Sequence, residues 1–310
     1  MPSKPLHVLI TGCSPGGTGA ALALNLHQAG HHVFATARDP TKLSALAKQG
    51  IETVVLDITS SSSISSAVAA ISSLLPTGEG LNMLINNAGG NYTMPIADAS
   101  PDQGRKLFDI NVWAQLAVTQ AFLPLLLQGA VVAAAEGDKL PARAMIVNHT
   151  SVGSTAALPF QGIYNASKAA LAMLSETMRL ELAPFGVSVV DLKTAGVKTN
   201  FIGNTDAASL PKGSIYEPAR EVIERAMSQA DLAHRGISPE RWAAEVLEAL
   251  LGSCPPAVVW RGESALLARV AVAMPCRLWE GPIKSMTKMD VVEKIIRETR
   301  GVGVPQRSCC

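Results

Sequence analysis

The feature that most constrains the fold is a regular alternation of short apolar runs with stretches of helical periodicity. Seven runs have the composition of strands buried on both faces: "LHVLIT", "HHVFATA", "IETVVLD", "LNMLINNAGG", "RAMIVNHTS", "VSVVDLKT" and "AVVW". Strands that alternate with helices are joined by right-handed crossovers, which produce a parallel sheet covered on both sides. The sequence therefore predicts an α/β fold, a single doubly wound domain with a seven-stranded parallel sheet.

Several helices are marked by their ends. Ser60 precedes a serine-rich stretch whose apolar residues recur at helical spacing, so Ser60 is the expected N-cap. Ser238 is the expected N-cap of another helix, which ends at Gly252. A further helix is predicted from Pro40 to Gly50.

The alternation also sets the expected domain limits. No linker interrupts it before residue 262, so residues 1–262 are predicted to form the main domain. Within that domain, residues 201–236 have little strand signal and several polar breaks, typical of a mobile segment that covers a substrate. Residues 263–310 are predicted to form an apolar helical extension that ends in a disordered tail.

Composition excludes several functional classes. The formal net charge of the 310-residue chain is +1, which predicts no nucleic-acid surface and no polybasic membrane patch. The five cysteines have no metal-ligand spacing, which predicts reduced thiols, a cytoplasmic location and no metal site. No apolar signal-peptide region precedes the first strand.

One stretch resembles a membrane span in composition, because no charge occurs between Asp109 and Glu136. Polar side chains and a proline interrupt it, and these are costly in lipid. We therefore expect a long buried helix or a subunit interface here.

The glycine-rich turn "TGCSPGGTG" lies between the first strand and the first helix. Glycines allow a tight turn and a close approach of the backbone to a pyrophosphate, and the helix N-terminus offers N–H groups to it. Its position in an alternating chain makes it a candidate dinucleotide site.

A second pattern is the four-residue spacing of Tyr164 and Lys168, which places both side chains on one face of a helix. Taken alone, the pair is typical of a partly exposed helix surface.

Together these motifs resemble the short-chain dehydrogenase/reductase family, over about residues 6–262. The resemblance is carried by the glycine turn, Asp57, "NNAG" at residues 86–89, Asn111, Ser151, and Tyr164 with Lys168. The form of the turn is similar to that of the fungal branch resembling acyl-dihydroxyacetone-phosphate reductases and 17β-hydroxysteroid dehydrogenases. The resemblance implies a Rossmann fold and an NADP(H)-dependent oxidoreductase.

The resemblance also implies catalytic roles for Asn111, Ser151, Tyr164 and Lys168. Tyr164 would be the general acid for ketone reduction or the base for alcohol oxidation. Lys168 would lower the pKa of that phenol and hold the nicotinamide ribose. Ser151 would bind the substrate oxygen, and Asn111 would anchor a water that links Lys168 to solvent.

Cofactor contacts are implied at the same motifs. They are Thr11, Gly12, Gly17, Thr18, Gly19, Arg38, Asp57, Ile58, Asn87, Ala88, Gly89, Tyr164, Lys168, Val197 and Thr199. The turn has one residue more than the common spacing, so either Gly16 or Gly17 is its middle glycine. The family's Pro-Gly after the sixth strand is replaced here by Thr194 and Ala195, so this loop departs from the family pattern.

Cofactor choice depends on the end of the second strand. Members that use NAD place an acid there, but this sequence has Ala37 followed by Arg38. An arginine can bind a 2′-phosphate, so NADP(H) is the expected cofactor. A one-residue shift of the alignment would instead place Asp39 near the ribose.

The expected substrate is a ketone, an aldehyde or a secondary alcohol, either lipid-like or from secondary metabolism. The alternatives on the same fold are a non-redox enzyme (isomerase, dehydratase or cyclase) and an NADP-binding partner protein. A hydrolase based on His149 and Ser151 is disfavoured, because the pair makes no triad without a carboxylate partner and Ser151 does not lie in a G-x-S-x-G motif.

The extension carries apolar residues at helical spacing: Leu266, Leu267, Val270 and Met274. Arg269 and Arg277 interrupt any long span, so we expect the extension to cover the substrate pocket or a second subunit. Peripheral membrane contact is the alternative. The resemblance further implies a homodimer or homotetramer.

Overall fold

The computed structural model describes residues 4–135, 144–201, 209–229, 235–275 and 277–301. The described strands form one sheet: β1 (His7–Ile10), β2 (His32–Ala37), β3 (Glu52–Val55), β4 (Met83–Asn86), β5 (Ala144–His149), β6 (Val187–Thr194) and β7 (Val258–Arg261). Their order is β3-β2-β1-β4-β5-β6-β7, and every pairing is parallel. All seven predicted strands and the doubly wound α/β fold are confirmed.

Helices connect these strands. They are α1 (Thr18–Gln28), α2 (Ser44–Ala47), α3 (Ser61–Leu74), α4 (Pro101–Phe108), α5 (Ala114–Ala135), α6 (Gly162–Leu182), α7 (Arg220–Met227), α8 (Pro239–Leu250), α9 (Ala265–Ala271), α10 (Arg277–Met286) and α11 (Met289–Arg300). The predicted caps are confirmed, since the hydroxyl of Ser60 accepts from Ser63 N and that of Ser238 from Arg241 N.

The helix predicted from Pro40 to Gly50 is shorter than expected. A 3₁₀ turn (Pro40–Leu43) leads into the single turn of α2. The two leucines buried there are three residues apart, a spacing that suits a 3₁₀ turn. Gly50, with φ of +82°, reverses the chain after them.

The sheet divides the core into two layers. On one face α1 and α8 pack through fully buried residues such as Leu26 and Trp242. On the other face α3 and α5 pack through Ile71, Phe122 and Leu126. The uncharged stretch between Asp109 and Glu136 thus forms the predicted core helix. Together with α4 it makes up the helical segment Pro101–Ala133, which is long and apolar enough to cross a membrane. Core helices of soluble proteins can have the same length and composition.

A ladder of uncharged polar side chains joins the ends of β4 and β5 to α5 and α6. Nδ2 of Asn86 donates to Oγ1 of Thr119 at 2.9 Å and to Oδ1 of Asn148 at 2.8 Å. Nδ2 of Asn148 donates to Oγ of Ser175 on α6 at 2.8 Å. All four residues are buried. We call this set the amide ladder.

Of the segment predicted to cover the substrate, residues 201–236, the described part contains one helical region at residues 217–227. A 3₁₀ turn (Glu217–Ala219) and α7 bury Ile223 and Met227 against Phe160 and against Val292 of α11. We call residues 216–227 the lid. The extension thus folds back over the lid through α11, while α9 leaves most of its apolar side chains exposed. Residues 202–208, 230–234 and 302–310, together with Cys276, lie outside the described residues; Cys309 and Cys310 belong to the last of these ranges.

Candidate active site

Six segments that carry predicted site residues follow the carboxyl ends of strands. In a parallel sheet these ends share one edge, and ligands bind where the strand order reverses, here between β1 and β4. The glycine turn follows β1, Arg38 follows β2, Asp57 follows β3, Asn87 follows β4, Ser151 follows β5 and Thr199 follows β6.

The glycine turn has the backbone that the sequence predicts. Gly12 and Gly16 have φ of +74° and +70°, a region that other residues rarely adopt. A Cβ on Gly19 would lie 2.6 Å from the carbonyl oxygen of Gly12, so the turn closes tightly there. Gly17 is the N-cap of α1 with φ of −99°. Of the two candidates for the middle glycine, Gly16 is therefore the one whose conformation requires glycine.

The loop after β4 is fixed against this turn by side chains that the sequence assigns to the cofactor. The hydroxyl of Thr11 accepts from the N–H groups of Asn87 at 2.9 Å and Ala88 at 3.0 Å. Thr18 donates to Oδ1 of Asn87 at 2.8 Å. Thr11 is fully buried, and its hydroxyl holds the loop after β4 at the base of the glycine turn.

Asn111 lies in a π-helical turn, Asp109–Trp113, between α4 and α5. Its Nδ2 donates to the carbonyl of Gly90 and to Oγ of Ser167, both at 3.0 Å, and its Oδ1 accepts from Gly90 N at 2.8 Å. The side chain is fully buried. Asn111 thereby fixes the loop after β4 to α6. Its Oδ1 accepts one hydrogen bond there, so one lone pair is left for the predicted water.

α6 buries the face that carries Tyr164 and Lys168, together with Leu171. Both polar side chains are therefore buried on the core side of the helix and not on its exposed surface. Nζ of Lys168 donates to the carbonyl of His149 at 2.8 Å. The side chain of Ser151 is hydrogen-bonded to the Tyr164 phenol. The structure therefore brings Ser151, Tyr164 and Lys168 together.

Burial is the largest influence on the pKa of the Tyr164 phenol. Burial raises the pKa of Tyr164, and only the hydrogen bond from Ser151 counteracts it. Burial also lowers the pKa of Lys168 to about 8, against an opposing contribution from Asp191. Burial therefore disfavours the charged forms of both the phenol and the amine.

Arg38 is exposed at the end of β2, directly after the buried Ala37. Oδ1 of Asp39 accepts from the N–H and the hydroxyl of Thr41, so this carboxylate caps the 3₁₀ turn. Arg38 contributes to the lowered pKa values of Asp39 and Asp57. In the described part of the chain no ion pair engages its guanidinium. Ile58, by contrast, is buried in the core.

The loop after β6 makes several contacts, among them two by residues that sequence reasoning missed, Asn200 and Phe201. Val197 pairs with Ile237, which fixes the strand end. Further on, Nδ2 of Asn200 donates to the carbonyl of Pro15 at 3.2 Å, at the glycine turn. The ring of Phe201 lies 6.5 Å from that of Tyr164, and Oγ1 of Thr199 accepts from Phe201 N at 3.3 Å. No sequence motif marks Asn200 and Phe201, because their contacts with Pro15 and Tyr164 join distant parts of the chain.

Comparison with known proteins supports the same interpretation. The family model of short chain dehydrogenases matches residues 6–209. The chain belongs to the short-chain dehydrogenase/reductase family. A short-chain dehydrogenase/reductase of Pestalotiopsis microspora, GME11361, is 45% identical over 300 residues, which cover 96% of this chain and 99% of the relative.

Two further members of the short-chain dehydrogenase/reductase family extend the comparison. The NADPH-dependent 1-acyldihydroxyacetone phosphate reductase of Schizosaccharomyces pombe is 33% identical over 296 residues, covering 91% of this chain and 94% of the relative. The crystal structure of a short-chain dehydrogenase from Streptomyces avermitilis has a TM-score of 0.72 at 25% identity, covering 93% and 99% of the two chains. This chain is accordingly a dehydrogenase/reductase of that family, with a nicotinamide cofactor and a small-molecule substrate.

Proposed function

We propose that the protein is an NADP(H)-dependent oxidoreductase that moves a hydride between nicotinamide and a ketone, an aldehyde or a secondary alcohol. One observation carries the proposal: Ser151, Tyr164 and Lys168 meet at the end of β5, beside the loop that borders the glycine turn. A Cβ on Gly89 would lie 3.5 Å from Nζ of Lys168, so this loop passes close to the lysine.

The residues present fit a dinucleotide. Gly12, Gly16 and Gly19 leave the space that a side chain would fill, and the first turn of α1 presents its N–H groups beside it. When bound, the nicotinamide supplies or accepts the hydride. The other proposed contacts are the residues named from the motifs, with Asn87, Ala88 and Gly89 along the β4 loop and Val197 with Thr199 after β6.

The protein's own groups would manage the proton. A phenol with a raised pKa stays protonated at neutral pH, so Tyr164 can donate its proton to the carbonyl oxygen during reduction. Ser151 donates a hydrogen bond to the same oxygen and fixes its position. Lys168, with a pKa of about 8, is mostly cationic at pH 7 and stabilises the phenolate that remains. This arrangement favours carbonyl reduction.

The test is a reductase assay of the purified protein with NADPH and a panel of ketones and aldehydes of graded size and polarity. A substrate-dependent fall in NADPH absorbance is expected. NADPH binding without turnover of any carbonyl in the panel would instead favour the isomerase, dehydratase or cyclase alternative, or a binding partner.

Arg38 supports NADP(H) over NAD(H), because its guanidinium is exposed while Asp39 is engaged in a cap. A charge-assisted hydrogen bond to the 2′-phosphate is worth about 1.5–3 kcal/mol, so kcat/KM should favour NADPH at least tenfold. In Arg38→Ala the KM for NADPH should rise about tenfold while NADH kinetics change little. Lys42→Ala removes an exposed cation from the same loop and is the matched control. Equal use of both cofactors by the unmodified protein would contradict the assignment.

The substrate side of the proposed site is apolar. Phe201 flanks Tyr164, and Met94 and Phe160 pack with the lid. A hydrophobic substrate is therefore proposed, either lipid-like, as the name of the Schizosaccharomyces pombe relative suggests for that protein, or a secondary metabolite.

The extension is proposed to act in two parts. α11 covers the lid. The exposed apolar residues of α9, which are Leu266, Leu267 and Val270, would contact a second copy of the chain in a homodimer or homotetramer. The proposed location is the cytoplasm. We expect an oligomer in light scattering and no co-flotation of the purified protein with phosphatidylcholine–phosphatidylserine vesicles. Clear co-flotation would replace this proposal with peripheral membrane contact.

A further inference from the structure

His149, the last residue of β5, contacts both parts of the proposed site. Its main-chain carbonyl accepts a hydrogen bond from Nζ of Lys168. Its ring nitrogen Nδ1 lies 2.9 Å from Oδ1 of Asn87. The ring also stacks on the buried indole of Trp242, with centroids 5.3 Å apart and planes inclined by 23°. The side chain is therefore held in one orientation, aimed at Asn87.

Asn87 in turn packs between the start and the end of the glycine turn. Its Nδ2 donates to the carbonyl oxygens of Thr11 at 2.8 Å and Gly12 at 3.0 Å. A Cβ on Gly19 would lie 2.5 Å from the same nitrogen. A rotation of this amide would therefore disturb two glycines of the turn at once.

These contacts determine which nitrogen of His149 carries the hydrogen. Because Nδ2 of Asn87 faces two carbonyl oxygens, the other end of the amide, which faces His149, is the acceptor Oδ1. Nδ1 of His149 must then be the donor. Burial and the charge of Lys168 lower the pKa of His149 to about 3, so the ring is a neutral Nδ1–H imidazole near pH 7.

We propose that the side chain of His149 is a positioning residue for the cofactor turn: its Nδ1–H orients Asn87, and Asn87 holds Gly12 and Gly19 in the shape that the phosphates of NADPH require. This inference rests on the proposed function. Lys168 contacts only the main chain of His149, which side-chain substitutions retain. The side chain therefore acts on cofactor affinity, and its loss should leave the chemical step nearly unchanged.

A pair of matched variants tests this role. In His149→Asn the amide N–H lies near the position of Nδ1, whereas in His149→Gln it lies near that of Nε2. Both substitutions are neutral and polar, so their effects on stability, followed by Tm, should be similar. We expect His149→Gln to raise the Kd and KM for NADPH about three- to tenfold, the effect of one neutral hydrogen bond, with kcat within twofold. For His149→Asn, the Kd and KM for NADPH and the kcat should all stay within twofold of the values for the unmodified protein.

Calorimetric titration with NADPH gives Kd without any need for turnover, and nitrogen NMR of the unmodified protein gives the imidazole tautomer. An Nε2–H tautomer would overturn the inference, as would equal losses of affinity in both variants or no loss in either. An unmodified protein that does not bind NADPH would contradict the proposed function itself. An unmodified protein that binds NADPH but reduces no carbonyl would contradict the redox step alone, and the comparison of Kd values would still decide the role of His149.

Discussion

Tyr164→Phe should reduce kcat for carbonyl reduction by about 10²–10⁴-fold while the Kd for NADPH stays within threefold. The substitution removes one hydroxyl that is hydrogen-bonded to Ser151 and leaves the buried ring in place. The loss therefore falls on proton transfer and not on packing. Stopped assays at high enzyme concentration and calorimetric titration with NADPH measure the two quantities.

Tyr216→Phe is the matched control for this variant. Tyr216 packs in the lid, so loss of its hydroxyl should change kcat less than threefold. If Tyr164→Phe keeps more than a tenth of the unmodified kcat, Tyr164 is not the proton donor.

Lys168→Met should abolish measurable turnover, weaken NADPH binding and yet stabilise the cofactor-free protein. Burial lowers the pKa of Lys168 from 10.5 to about 8, a penalty on the order of 3 kcal/mol for the charged form. The lost hydrogen bond to the His149 carbonyl offsets about 1 kcal/mol of the gain. Thermal unfolding at pH 7 should therefore show a Tm a few degrees above that of the unmodified protein.

The pH dependence of this difference follows from linkage. Below pH 8 the lysine is protonated in both the folded and the unfolded states, so the unmodified protein bears the full penalty. Between pH 8 and 10.5 only the unfolded chain binds the proton, so the stability of the unmodified protein rises with pH relative to Lys168→Met. The Tm difference should shrink across this window, and a constant difference would contradict the low pKa.

Lys193→Met is the instructive contrast, since Lys193 is also buried but forms an ion pair with buried Asp191 at 2.7 Å. Its removal leaves a buried carboxylate without its cation, which typically costs about 3–5 kcal/mol. Two buried lysines in the same region should therefore respond to the same substitution with opposite changes in Tm. Destabilisation by both would show that Lys168 has an unrecognised structural partner.

The predictable parts of the fold depend on local sequence. Each strand is a run of apolar residues flanked by turn signals. An N-cap such as Ser60 accepts a hydrogen bond from a backbone N–H only three residues further along the chain. The parallel pairing of the seven strands follows from their alternation with helices and from the handedness of the crossovers.

The parts that sequence reasoning missed depend on contacts between distant segments. The raised pKa of Tyr164 comes from how completely the phenol is buried, which no spacing rule reports. The engagement of Asn111 with Gly90 and Ser167 depends on a widened turn that has no sequence signature. The contact of Asn200 with the glycine turn joins residues 185 positions apart. Each of these three features can be recognised only from the tertiary packing.

The amide ladder has a consequence for how the protein responds to ionic strength. It holds β4, β5, α5 and α6 together through neutral groups, from Asn86 and Thr119 to Asn148 and Ser175, so salt does not screen it. A one-residue slip in strand register would leave these buried amides without partners, which keeps the catalytic edge in place. Added salt should therefore weaken the attraction between Arg38 and a charged cofactor while the frame around Tyr164 keeps its geometry. A salt titration can accordingly separate charge recognition from the integrity of the site.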